Sequence, residues 1–120
     1  MAERKRIVCF GDSNTWGYNP EDGSRYGEDV RWPKLLGEML GGDFEVVEEG
    51  QNGRTIVSPD PWEWGTKCGA DQILPIIESH SPIEVLVIML GTNDLKLKFN
   101  LPTLDIAGSM QNMLKKFVDC

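Results

Sequence analysis

The sequence predicts an α/β domain in which short parallel strands alternate with amphipathic helices. Three apolar runs carry that reading: Arg6 to Phe10, ending at Gly11; Phe44 to Val47, ending in an acidic pair and Gly50; and Ile83 to Leu90, ending at Gly91. Two of them are nearly continuous rather than alternating, the pattern of strands buried on both faces of a helix-covered parallel sheet. The segments between them repeat their apolar residues at helical spacing. The order β-α-β-α-β-α points to a doubly wound domain with right-handed crossovers.

Each helix has its own signals. Trp32, Leu35, Leu36, Met39 and Leu40 fall at i, i+3, i+4, i+7 and i+8, one stripe of an amphipathic helix. Pro33 suits its first turn and Gly41-Gly42 stops it. A second helix is expected over Asp71 to Ser79, with Pro75 tolerable only near its start. A third runs from Thr103, as N-cap, to Val118, with Ala107, Met110, Leu114 and Phe117 on one face. Asp105 in its first turn and Lys115-Lys116 in its last match the helix dipole. The longest non-periodic segment, Asn52 to Gly69, carries Trp62 and Trp64. It reads either as a functional or interface loop, which makes a homo-oligomer an expectation, or as a loop whose indoles fold back onto the core.

Composition narrows the class. A chain of 120 residues allows one domain, and 40% apolar with 26% charged residues excludes a disordered tail. A net charge of −7 argues against nucleic acid and anionic membrane surfaces, which need clustered positive charge. Cys9, Cys68 and Cys120 are too few and too scattered for a disulfide framework, and with a single His a zinc site is not expected. The basic start Arg4-Lys5-Arg6 is followed by only four apolar residues, too short for a signal peptide. No run is long enough to span a bilayer, so a cytoplasmic location is expected.

Ligands of open α/β sheets bind beyond the C-terminal ends of the strands. All three ends carry small polar clusters: Gly11-Asp12-Ser13-Asn14, Gly50-Gln51-Asn52-Gly53 and Gly91-Thr92-Asn93-Asp94. Alone, each is more often a turn or a helix cap. Together they supply most of what acyl transfer requires. Ser13, after a strand and opening a helix, is an exposed hydroxyl nucleophile. Its own N–H, that of Gly53 and the side-chain amide of Asn93 are candidates to converge on one oxyanion, and glycine at 53 permits close backbone approach.

In residues and order, these blocks resemble the first three motif blocks of the SGNH (GDSL-type) hydrolases. Phe10 to Tyr18, Val30-Arg31-Trp32, Phe44 to Thr55 and Ile88 to Lys96 look most like the arylesterase/acyltransferase branch. The resemblance extends through about Met110. It implies a flavodoxin-like, three-layer αβα fold whose five parallel strands run 2-1-3-4-5, of which this chain supplies the first three, ordered 2-1-3. It also implies Ser13 as nucleophile, Gly53 and Asn93 as oxyanion-hole residues, no metal or organic cofactor, and a small ester as substrate. Asn14 stands where the family name has leucine. Asp12, Asn14, Trp16 and Tyr18 are candidates to shape the substrate pocket, Asp12 and Asp94 more as hydrogen-bonding partners of the loops than as proton carriers.

One family element is missing. The Asp-x-x-His block that supplies the general base does not occur, and the only histidine, His80, precedes the third strand. A strand of about eight residues separates the two sheet edges by roughly 26 Å, so His80 is expected to face solvent or cap a helix rather than serve Ser13. Residues 1–120 therefore read as the N-terminal portion of one SGNH hydrolase domain, a serine esterase lacking its base, with the third strand an open apolar edge. Two alternatives stay open: a non-catalytic module that keeps the oxyanion pocket for a carboxylate or acetylated glycan, and a flavodoxin-like nucleotide or flavin domain. The latter lacks a Gly-rich phosphate loop.

Overall fold

Burial decides which strand sits in the middle. Ile7, Val8, Cys9 and Phe10 are at most 6% exposed, and this run forms the central strand β1 (Lys5–Gly11). It pairs in parallel with β2 (Phe44–Gly50) on one side and β3 (Val85–Met89) on the other, giving the expected order 2-1-3. The computed structural model describes residues 4–60, 62, 63 and 65–118. The register places Gly11 opposite both Gly50 and Met89, so the three strands end at one level. That alignment brings the three polar clusters to one edge.

Helices cover both faces. Phe10, Ile56, Ile73, Ile106 and Met113 form the core, with Leu86, Ile88 and Leu90 of the third-strand region packed against it. Helices α3 (Gly69–His80) and α4 (Thr103–Val118) build that layer. On the opposite face lie the single turn α1 (Ser13–Trp16) and α2 (Trp32–Leu40), where a Cβ at Gly37 would stand 3.4 Å from Val46. The far edge of β3 has no partner strand among the described residues, and Val85 and Met89 remain 45% and 43% exposed. No helix among the described residues is long and apolar enough to cross a membrane.

Several elements differ from expectation. Strand β2 continues to Gly50 instead of stopping at Val47, because Glu48 is neutralised and the ladder with β1 runs on. Helix α3 begins at Gly69, two residues before the expected start, so Pro75 lies in its interior rather than near its start. Pro75 and Asp71 both lie on the exposed side, so the carbonyl that loses its intrahelical partner can face water. The stripe of α2 is only partly used: Pro33 is buried and Gly37 meets the sheet, whereas Leu35, Met39 and Leu40 are 37%, 85% and 38% exposed. In α4 the buried residues are Ile106 and Met113, not Ala107 or Leu114; the helix is rotated relative to the expected face, and the side chain of Phe117 lies outside the described residues. The amides of Asp105 and Ile106 bond the Pro102 carbonyl, so α4 takes in Thr103 as a helical residue. Trp62 is 81% exposed and does not fold back onto the core, while Trp64 and Cys120 lie outside the described residues. Cys9 and Cys68 are buried free thiols.

Glu48 ties the loop before α2 to β2. Its carboxylate takes Arg31 Nε at 2.8 Å, with Lys34 Nζ at 3.6 Å and Arg25 Nη2 at 3.9 Å. Burial raises the Glu48 pKa, but the Arg31 hydrogen bond and the charges of Arg31, Lys34 and Arg25 outweigh it and hold the group below its ordinary 4.5. A carboxylate lowered on folding stabilises above its unfolded pKa, and that contribution fades as pH falls through the folded value. Glu48→Gln is therefore expected to lower Tm at pH 7 and to differ progressively less from the parent as pH falls below about 4.5. Thermal unfolding scans between pH 7 and pH 3 check it; a gap that widens towards acid would contradict the assignment.

Candidate active site

Chemistry at the sheet edge begins where β1 runs out. Asp12 is 2% exposed and caps α1, its Oδ1 accepting the Asn14 N–H at 3.0 Å. Ser13 is thus the first residue of a helical turn and is half-buried. This turn sits directly on the end of β2. A Cβ at Gly50 would lie 2.4 Å from Trp16 N and 2.7 Å from its Cα, so only glycine admits the contact.

The second cluster forms a tight turn. Arg54 N–H bonds Gln51 O at 3.2 Å across Asn52 and Gly53, and Gly53 has φ +82°. With Asn52 outside the positive-φ residues, this is a type II turn, which requires left-handed backbone at its third position. The third cluster supplies Asn93, 9% exposed at the start of the short 3-10 turn Asn93–Leu95. Its Nδ2 donates to Arg54 O at 3.0 Å, leaving the second amide proton for another acceptor. Among the described residues, the Ser13 and Gly53 N–H groups make no internal hydrogen bond.

These groups share one cleft of about 300 Å³, lined by Ser13, Tyr18, Gly53 and Asn93 together with Asn52, Glu63, Lys67 and Lys96. The other pocket candidates sit elsewhere. Asp12 is buried beneath α1, Asn14 is exposed, and Trp16 lies under the Arg25 guanidinium, 5.0 Å from its ring centroid. His80 does not line the cleft; its Nε2 pairs with Glu49 Oε1 at 3.0 Å, a partner in place of the expected solvent. Asp94, 1% exposed, takes the Ile56 N–H with both oxygens at 3.2 and 3.0 Å. Burial raises the pKa of both Asp12 and Asp94 from the ordinary carboxylate value; both carboxylates hold backbone N–H groups and neither lines the cleft. No group of three potential ligands that could hold a metal ion occurs among the described residues.

Arg54, which the motif reading passed over, holds this arrangement together. It is 4% exposed; Nη1 donates to Gly11 O at 3.0 Å and to Glu49 O at 2.6 Å, and Nε donates to Gln72 Oε1 at 2.7 Å. Its guanidinium lies 4.1 Å from the Phe10 ring centroid. Burial lowers its pKa to about 10, with Glu49 and Asp12 opposing, so it remains a cation at neutral pH. The only sequence signal was a lone cation inside an otherwise small, neutral polar block.

The sequence profile of the GDSL-like lipase/acylhydrolase family matches residues 9–119, nearly the whole chain. The chain belongs to this family. Its fold is that of ester-hydrolysing SGNH enzymes. The inhibitor-bound aryl esterase of M. smegmatis is 44% identical with a TM-score of 0.86, over 92% of this chain and 53% of that one. A carbohydrate acetylesterase family member from Sinorhizobium meliloti is 32% identical with a TM-score of 0.88, over 92% and 52% respectively. A further carbohydrate acetylesterase from that organism is 34% identical, TM-score 0.85, over 92% and 53%. This family member thus spans about half the length of the solved relatives it matches. No curated protein sequence matches it.

Replacing Arg54 by Met is expected to cost about 3 kcal/mol of stability, because one buried and two part-buried acceptors lose a charged donor. Lysine in its place is expected to recover less than half, since one ammonium cannot reproduce the planar fork. Urea unfolding of the two variants measures both effects; an Arg54→Met loss below about 0.5 kcal/mol would show that the guanidinium is not structural.

Proposed function

We propose that this chain carries the nucleophile and the oxyanion-binding groups of a serine esterase acting on small carboxylic esters. The observation that carries it is the meeting of Ser13, Gly53 and Asn93, drawn from three different strand ends, in one small cleft. Ser13 Oγ attacks the ester carbonyl carbon, and the negative oxygen that forms is met by the Ser13 and Gly53 N–H groups and Asn93 Nδ2. Collapse expels the alcohol and leaves an acyl group on Ser13; water then attacks that ester and releases the acid. Tyr18 lines the same cleft and bounds the space left for substrate. The names of the neighbours, aryl esterase and carbohydrate acetylesterase, support a short acyl group on an aryl or sugar alcohol.

The serine proton needs an acceptor. His80 is held by Glu49 and does not line the cleft. In this reading residues 1–120 are the N-terminal portion of one hydrolase domain, and the base belongs to an Asp-x-x-His segment C-terminal to it. The half-length coverage of the solved relatives and the unpaired edge of β3 support that division. A cytoplasmic location fits the two buried free thiols. Self-association fits Trp62 and Leu97, 81% and 94% exposed.

Hydrolysis of phenyl acetate by the 120-residue chain is expected to lie on the order of 10⁶ below that of an intact triad. Added imidazole, acting as an external base, is expected to raise the rate with Ser13 present and to add nothing beyond its solution reaction in Ser13→Ala. Equal imidazole increments in parent and variant would remove Ser13 as nucleophile. Unaided hydrolysis at full enzymatic rate would remove the need for an external base. Saturable binding without hydrolysis, unchanged by Ser13→Ala, would favour the binding-module reading.

A further inference from the structure

Lys67 lies against the Gly53 turn in a way that the ester-binding reading does not use. Its backbone is fixed: Thr55 N–H bonds Lys67 O at 2.9 Å, and Thr55 and Cys68 form a parallel bridge. The neighbouring Thr66 carbonyl takes Gln51 Nε2 at 2.9 Å and Gln72 Nε2 at 2.8 Å. From this anchored segment the Lys67 side chain crosses Gly53, where a Cβ would meet Cδ and Cε at 3.6 Å. It ends with Nζ donating to Asn52 O at 3.0 Å.

Asn52 O and the Gly53 N–H belong to one peptide unit. In a trans peptide they point in opposite directions, so whatever holds the carbonyl aims the N–H. The same unit is the central peptide of the type II turn, and type I and type II turns differ by its flip. A flipped peptide would turn the carbonyl to the side now occupied by the N–H, replacing a donor with a negative dipole.

We infer that Lys67 is a positioning residue that locks the Asn52–Gly53 peptide in its type II orientation and polarises it, strengthening Gly53 N–H as an oxyanion donor. The inference rests on the proposed role of Gly53 in the oxyanion hole. A cation on the carbonyl draws electron density toward oxygen and leaves the N–H more positive, the cooperative effect of chained hydrogen bonds. Lys96, the other lysine of the cleft, makes no such bond to the turn among the described residues.

The probe is phenylboronic acid. Ser13 Oγ adds to boron, which becomes a tetrahedral anion as the hydroxyl proton passes to water, and boron NMR reads the adduct. Lys67→Met keeps an unbranched apolar stem and removes the donor; Lys67→Arg keeps a donor. The Met variant is expected to bind the boronate about tenfold more weakly, with the Gly53 amide shifted upfield and the short Asn52 Hα to Gly53 H contact of the type II turn weakened. The Arg variant is expected to stay within about threefold of the parent. Lys67→Met binding within about twofold of the parent, with the Gly53 amide unmoved, would overturn the inference. If the parent forms no adduct, the nucleophile reading fails separately. The Gly53 amide and the turn contact, compared in free parent and free Lys67→Met, then still decide whether Lys67 holds the peptide.

Discussion

A buried guanidinium organises this molecule. Arg54 gives its protons to carbonyls at the ends of β1 and β2 and to α3, stacks on the central core aromatic, and offers its own carbonyl to Asn93 after β3. Taking a cation out of water is tolerated only where several acceptors replace its hydration. Here the acceptors are carbonyls at the ends of two parallel strands and a glutamine side chain of α3. The same side chain that satisfies those ends also fixes their relative positions. The cleft is a consequence: Ser13, Gly53 and Asn93 each sit within two residues of a group Arg54 touches or belongs to.

Around that centre the charges are arranged by role. Asp12 and Asp94 are buried and hold backbone N–H groups, one opening the Ser13 turn and the other pinning the segment after Thr55. Glu48 works on the opposite face, gathering Arg31, Lys34 and Arg25 so that the long connection between α1 and α2 lies against β2. Lys67 and Asn52 complete the turn that carries Gly53. Asp12, Asp94 and Lys67 thus each fix backbone near the cleft, which is how a site built on loops acquires the rigidity that preorganised donors require.

Much of this was legible in the sequence, for physical reasons. The continuous apolar runs marked the buried strands, and glycines beside polar residues marked the strand ends where parallel sheets carry chemistry. Helix phase was harder to read. Periodicity shows that α2 and α4 have an apolar side but not which residues meet the sheet, and Gly37 and Met113 settled that through close approach and packing. Pro75 argued against a helix interior, yet its exposed side made the lost bond affordable. Arg54 and Lys67 were invisible as partners because their acceptors are backbone carbonyls, which leave no trace in residue identity. The pairing of His80 with Glu49 was likewise not foreseen, because the sequence places His80 only relative to its own helix and the strand after it.

A crystal structure of the chain with a phenylphosphonate anion bound would test most directly whether the three strand ends form one oxyanion site. One phosphonate oxygen is expected within hydrogen-bond distance, about 3 Å, of Ser13 N, Gly53 N and Asn93 Nδ2 together. An anion that sits in the cleft but touches only one of these donors, or one that prefers a different surface, would contradict the convergence on which the rest depends.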